Sequence, residues 1–366
     1  MLRRLILLVI LFGLLGTHAA LAVSIRVSPE MELLAGVLSQ TTWIENRGPS
    51  GPGNEYFQAL KNFFAEYKDH QAVAIAQNLS EKGFTYDAPP AFICHLGPLP
   101  DLDVIYEYSD YVVSRAGGRE VLEEFRFALA DLAREADFPS FFAAWQPYLE
   151  DSLKSCRQGF RGELVEDWLS AFFGWTPAEF HLIMAPSMFP GGGYGATVSD
   201  GAGDIAFQII RENGSSQGRP EFPSGMNLEH LAIHEWGHSF VNPSLAAYPN
   251  RARSLRPLFV PVREAMRAQA YLTVATFLNE QVLRAVELRA SQDLFQPETG
   301  ARILESHESR GFYLTNFVAE QLEYYQANRT LYPTFRDFVP YLYDQLDLYA
   351  KDNTTWKERF LGWFLR

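Results

Sequence analysis

Residues 234–238 read His-Glu-Trp-Gly-His, inside a stretch, EHLAIHEWGHSFVNP, whose apolar residues recur at helical spacing. The pattern predicts a helix over 228–241. Asn242 and Pro243 should close it, because proline cannot extend a helix and disfavours helical geometry in the residue before it. On such a helix His234 and His238 stand one turn apart on one face, so both imidazoles can reach a single Zn2+. Glu235 follows about 100° further round, where its carboxylate can take a proton from a water at the open metal position. A random chain of this length with 8 histidines would contain the HExxH pattern about once in a hundred cases. The motif therefore constrains the fold: a buried helix must carry it, with Trp236 and Phe240 packing the opposite side into a core.

The segments before the motif have a different character. FHLIMAPSM, GGGYGATV and DIAFQII are short, apolar and bounded by glycine, proline or aspartate, which predicts strands. They form the one strand-rich island in a chain that otherwise shows helical periodicity. A small sheet beside the motif helix could bind an extended peptide along its edge. The run Gly191-Gly192-Gly193-Tyr194-Gly195 either lets a substrate backbone come close or simply connects two strands.

Upstream, Ser28-Pro29 reads as a cap and first turn opening a helix over 29–40. Further helices are expected over 55–67, 71–82 and, with strong periodicity, from Arg119 to Trp175. The stretch 87–103, carrying Pro89, Pro90, Pro98 and Pro100, reads as a long connector. Downstream, helices are expected over 262–289, 302–308, 312–328 and 334–349.

The N-terminus has a basic start (Arg3, Arg4), an apolar run and the small-residue end Ala20-Leu21-Ala22. This layout predicts a signal peptide over 1–22, cleaved after Ala22, and export to the periplasm or the extracellular space. No other segment is apolar for long enough to span a membrane. Losing Arg3 and Arg4 takes the formal net charge from -13 to -15. So acidic a chain disfavours nucleic acid and anionic membrane surfaces as partners. In an oxidising compartment Cys94 and Cys156 are expected to pair, closing a loop of 63 residues worth about 4 kcal/mol in the chain-entropy model.

A catalytic zinc needs a third protein ligand and one open position. The extended pattern HExxHxxGxxH fails after His238, so a carboxylate from a later helix is the natural ligand. LNEQVLRAVELRA offers Glu280, favoured because Arg284 one turn on could orient it; Glu287 and Glu264 are the alternatives. His230 extends the histidine series, but 230 and 238 lie about 12 Å apart along a helix axis, so a supporting or surface role is expected for it. Tyr313 is the first choice for a donor that steadies the oxyanion, and His307 the second.

This arrangement resembles the gluzincin class of zinc metallopeptidases, in which a glutamate on a helix after the HExxH helix completes the site. HEWGHSFVNP, NEQVLRAVELR and GFYLTNFVAEQLEYY are together similar to a family of exported bacterial proteins classed as zinc metallopeptidases on the strength of the motif. The resemblance implies an α+β, mostly helical fold: a zincin-like catalytic region over 176–366 with its small sheet before the motif helix, behind a mostly helical N-terminal region over 23–175. It implies zinc on His234, His238 and Glu280, Glu235 as general base, and a peptide or protein substrate. The gap of 41 residues between His238 and Glu280 is long for a gluzincin. A non-catalytic exported module stabilised by zinc, and a zinc hydrolase of a non-peptide substrate, are the other readings open to the sequence.

Overall fold

The computed structural model describes residues 24–45, 53–188, 193–201 and 203–364. The signal segment over 1–22, and Gly191 and Gly192, lie outside these residues. Three strands run parallel: β1 (Ser24–Arg26) beside β2 (Glu179–Ala185), and β2 beside β4 (Asp204–Arg211). β3 (Gly193–Ser199) is antiparallel to β4 and ends the sheet, whose order is β1-β2-β4-β3. Parallel neighbours need a long crossover, and the connection from β1 to β2 holds the entire N-terminal helical region.

Residue alternation along the strands divides the sheet into two faces. Ile183, Tyr194, Ala196, Val198, Ile205, Phe207 and Ile209 face the N-terminal helices, including Pro29–Leu38 and Arg119–Glu135. Phe180, Leu182, Met184, Ala206 and Ile210 face a second core built by the C-terminal helices together with Leu153, Cys156 and the helix Gly162–Phe173. The fold is thus α+β and mostly helical, with a small mixed sheet between two helical layers. The sequence break near residue 175 falls between a helix, Gly162–Phe173, and β2, while both layers share the one sheet.

Several expectations change. Cys94 and Cys156 are both buried free thiols, one in each core; the sheet stands between the layers they occupy, so no disulfide forms. The proline-rich stretch is not all connector, because Ala88–Ile93 is helical with Pro89 and Pro90 in its first turn, where a missing N–H costs nothing. Pro243 does not end the motif helix, which runs over Gly225–Ala246. Ser244 and Leu245 beyond it are buried, and that packing outweighs the backbone bond lost at Ser239. The helix expected over 262–289 is broken: Arg263–Ala268 is followed by a turn with Ala270 at φ 68°, then by Val274–Leu294. Thr273 and Thr276 cap the second piece reciprocally. Among the described residues no helix is long and apolar enough to cross a membrane.

Candidate metal centre

The motif helix is fixed in rotation from behind. Trp236 and Phe240 are wholly buried; the Trp236 indole N–H donates to the His181 carbonyl at 3.2 Å, and Phe240 stacks on Phe173 at 4.4 Å. This turns His234 and His238 toward the helix Val274–Leu294, which runs antiparallel to it. Gly237 permits the approach, since a methyl there would stand 2.8 Å from Leu283 Cδ2.

Four of the expected residues come together: His234, Glu235, His238 and Glu280. His234 Nε2 lies 3.8 Å from Glu280 Oε2, and His238 Nε2 lies 3.6 Å from Glu280 Oε1. The ligand atoms of His234, Glu235 and His238 fall within 4.8 Å of one another. Tetrahedral bonds of 2.0–2.1 Å would place donor atoms about 3.3 Å apart; Glu280 stands outside the group that lies mutually within 4.8 Å and meets the two rings through different oxygens, so it must turn to bring one oxygen to an ion shared with both imidazoles. The far sides of both rings also suit it. His234 Nδ1 is 2.6 Å from Glu287 Oε1, and His238 Nδ1 is 3.2 Å from Asn242 Oδ1. An acceptor at Nδ1 draws the ring proton there and leaves the Nε2 lone pair for a metal. Arg284 Nη1 donates toward the same His234 Nδ1 at 3.3 Å, which favours the opposite tautomer; the carboxylate contact, at 2.6 Å, is the shorter and favours the proton on Nδ1.

Arg284 joins the two acids, donating to Glu280 Oε2 at 3.2 Å and to Glu287 Oε1 at 2.7 Å. Burial works against charge on Glu280, yet the basic groups around it, the Arg284 guanidinium among them, outweigh it and hold the carboxyl below its ordinary value. Burial, with Arg284 beside it, pushes His234 down to about 4, so the ring is a neutral donor. Glu235 is pushed up to about 8, first by burial and then by the charge of Glu280, into the range suited to a group that takes and returns a proton near neutrality.

The other expected residues are placed elsewhere. Glu287 serves the far side of His234 and not the Nε2 cluster, and His230 and His307 both contact Glu287. Glu264 is solvent-exposed, 3.8 Å from Arg267. Tyr313 is not gathered into the cluster: its hydroxyl donates to the Leu258 carbonyl at 2.6 Å.

Tyr271 was missed in the sequence. It lies near enough to Glu280 that burial, followed by the charge of that carboxylate, raises its pKa; Glu235 adds to the effect. The turn before the Thr273 cap presents it, so the Thr273-x-x-Thr276 pair was the overlooked signal. Within the glycine run, Gly193 and Gly195 make room for the motif helix. A Cβ on Gly193 would stand 2.8 Å from Glu235 Oε1, and one on Gly195 would press into the backbone of Glu235. The missing side chains let β3 lie directly on the motif helix.

A family model described as a domain of unknown function, DUF4932, matches residues 49–344. The chain belongs to that family, and the match spans both helical layers and the whole cluster. Neither the curated proteins nor the solved structures contain a match to it.

Proposed function

We propose that this protein is an exported zinc metallopeptidase with a zincin-like, gluzincin-type centre. The observation that supports this reading is the convergence of His234 Nε2, His238 Nε2 and the Glu280 carboxylate beside Glu235 in one cluster, buried except for a partly exposed His238. His234, His238 and Glu280 would hold the ion. When bound, zinc supplies Lewis acidity that makes water a nucleophile near neutral pH and polarises a substrate carbonyl.

Glu235 accepts the attacking water's proton on its carboxylate and later gives it to the leaving amine. Tyr271, near Glu280, is the donor that steadies negative charge on the carbonyl oxygen of the scissile bond. β3, whose outer edge no described strand pairs, offers backbone groups to an extended peptide lying over Glu235. This edge favours a peptide over a compact ester or sugar substrate. Export rests on the basic start, the apolar run and Ala20-Leu21-Ala22, and the acidic charge argues against nucleic acid or anionic membrane as partner.

The test pairs metal content with turnover of a quenched-fluorescent peptide library. Glu235→Gln should keep one zinc per chain and lose at least about 100-fold in hydrolysis, while Glu280→Ala should lose the zinc. Protein purified without chelators that carries no zinc, and takes up none on titration, would overturn the reading. Turnover of ester or cell-wall substrates but of no peptide would overturn the peptidase part.

A further inference from the structure

Glu287 is fully buried, yet its carboxylate touches four nitrogen-bearing side chains. Oε1 lies 2.6 Å from His234 Nδ1 and 2.7 Å from Arg284 Nη1. Oε2 lies 2.9 Å from His230 Nε2 and 3.0 Å from His307 Nε2. Both approaches to Oε2 are short but bent away from a straight N–H···O line. The Arg284 guanidinium, donating to Oε1 at 2.7 Å, supplies the opposite charge that a buried carboxylate needs.

The proton on His307 can be located from its other side. Arg310 Nη2 lies 2.8 Å from His307 Nδ1, and a guanidinium can only donate, so Nδ1 is the acceptor. Burial keeps the ring neutral. Its single proton therefore sits on Nε2, toward Glu287 Oε2. The same logic rules out a second ion between His230, His307 and Glu287, because such an ion would need the Nε2 lone pair of His307. Arg310 is itself anchored, donating from Nε to the Ser306 carbonyl at 3.2 Å and lying 5.3 Å from the Phe312 ring centre.

We propose that His307 is a positioning residue for the metal centre, acting through Glu287 to hold His234 in the form that carries its proton on Nδ1 and offers Nε2 outward. The links run Arg310, His307, Glu287, His234, from the end of the helix Pro297–Ser309 to the motif helix. His230 grips the same oxygen from the motif helix. With the donor at His307 removed, Glu287 Oε2 is left against His230 alone, and the carboxylate is free to turn away from His234.

The role in metal binding rests on the zinc reading, but the state of the His234 ring does not, so the two are tested apart. In the zinc-free mature chain, nitrogen-15 spectra of the histidine side chains should show His234 with its proton on Nδ1. His307→Phe, which keeps bulk and removes the donor, should shift His234 toward the Nε2–H form. His307→Gln, whose amide can replace Nε2–H, should restore the wild-type spectrum. In zinc titrations His307→Phe should weaken affinity about 10-fold and His307→Gln less than about 3-fold, with melting curves showing all three proteins folded. If the wild type takes up no zinc, the zinc reading fails and the spectra alone decide the positioning role. A His234 ring already in the Nε2–H form in the wild type, or one unchanged in His307→Phe, overturns it.

Discussion

Gly195→Ala tests whether β3 presses on the motif helix. The added methyl would meet the Glu235 carbonyl oxygen far inside contact distance, with His238 Cβ only 3.2 Å away. A carbon–oxygen contact settles at about 3.3–3.6 Å, so strand and helix must part by roughly 1 Å. Neither yields easily. The carbonyl belongs to the middle of a helix pinned by Trp236 and Phe240, and β3 is paired to β4 from Gly193 to Ser199. Overpacking of this kind costs about 1–3 kcal/mol, which corresponds to a fall of roughly 1.5–4 °C in melting temperature for a chain of this size. Gly193→Ala is the control. Its methyl meets the end of the Glu235 side chain, 2.8 Å from Oε1, and that carboxylate can move aside by about half an ångström. Melting temperature and zinc content should stay at wild-type values, while peptide turnover drops about 10- to 100-fold because the base is displaced. Thermal melts, metal analysis and peptide hydrolysis on the three proteins separate these effects. A Gly195→Ala protein melting within 1 °C of wild type, or a Gly193→Ala protein losing stability equally, would refute the packing described.

Tyr271→Phe should retain zinc and lose about 100-fold in kcat, whereas Tyr313→Phe should change kcat less than about 2-fold; equal effects would return the oxyanion role to neither residue. Glu32, fully buried, is pushed up to about 8, first by burial, with Ser187 and Tyr56 acting against the rise and Glu212 adding to it. The folded chain keeps a proton that the unfolded chain releases near the ordinary carboxylate value of 4.5; this stabilises the fold fully below that pH and is lost as pH rises through about 8. Of the order of 3–5 kcal/mol is involved, so Glu32→Gln should flatten the decline in melting temperature between pH 5 and 9, and an unchanged decline would mean that Glu32 is ionised. Thiol titration of the unfolded, unreduced protein should find two thiols per chain, with Cys94 unreactive in the folded state because burial pushes it up to about 12; finding none would restore the disulfide.

The parts of this centre readable in sequence are those governed by local spacing. His234 and His238, or Glu280 and Arg284, share a face because four residues make about one turn, and no tertiary information is needed. Tyr271 was hidden because apolar residues continue at helical spacing across the break at Ala270, and only the Thr273–Thr276 cap marks it. The cysteines misled because pairing depends on which side of a sheet each helix packs, a relation between residues far apart in the chain. The choice between Glu280 and Glu287 is the most instructive case. Seven residues bring a helix back to within about 20° of the same direction, so both acids lie on one face and periodicity cannot separate them. What separates them is about 10 Å of rise along an antiparallel partner: at one level Glu280 meets the Nε2 atoms of both histidines, at the other Glu287 meets His230 and the back of His234. Gly237 against Leu283 sets that level. A slip of one turn between these helices would bring a different acid to the histidines, so the register of one helix pair decides which glutamate faces the Nε2 atoms and which stands behind His234.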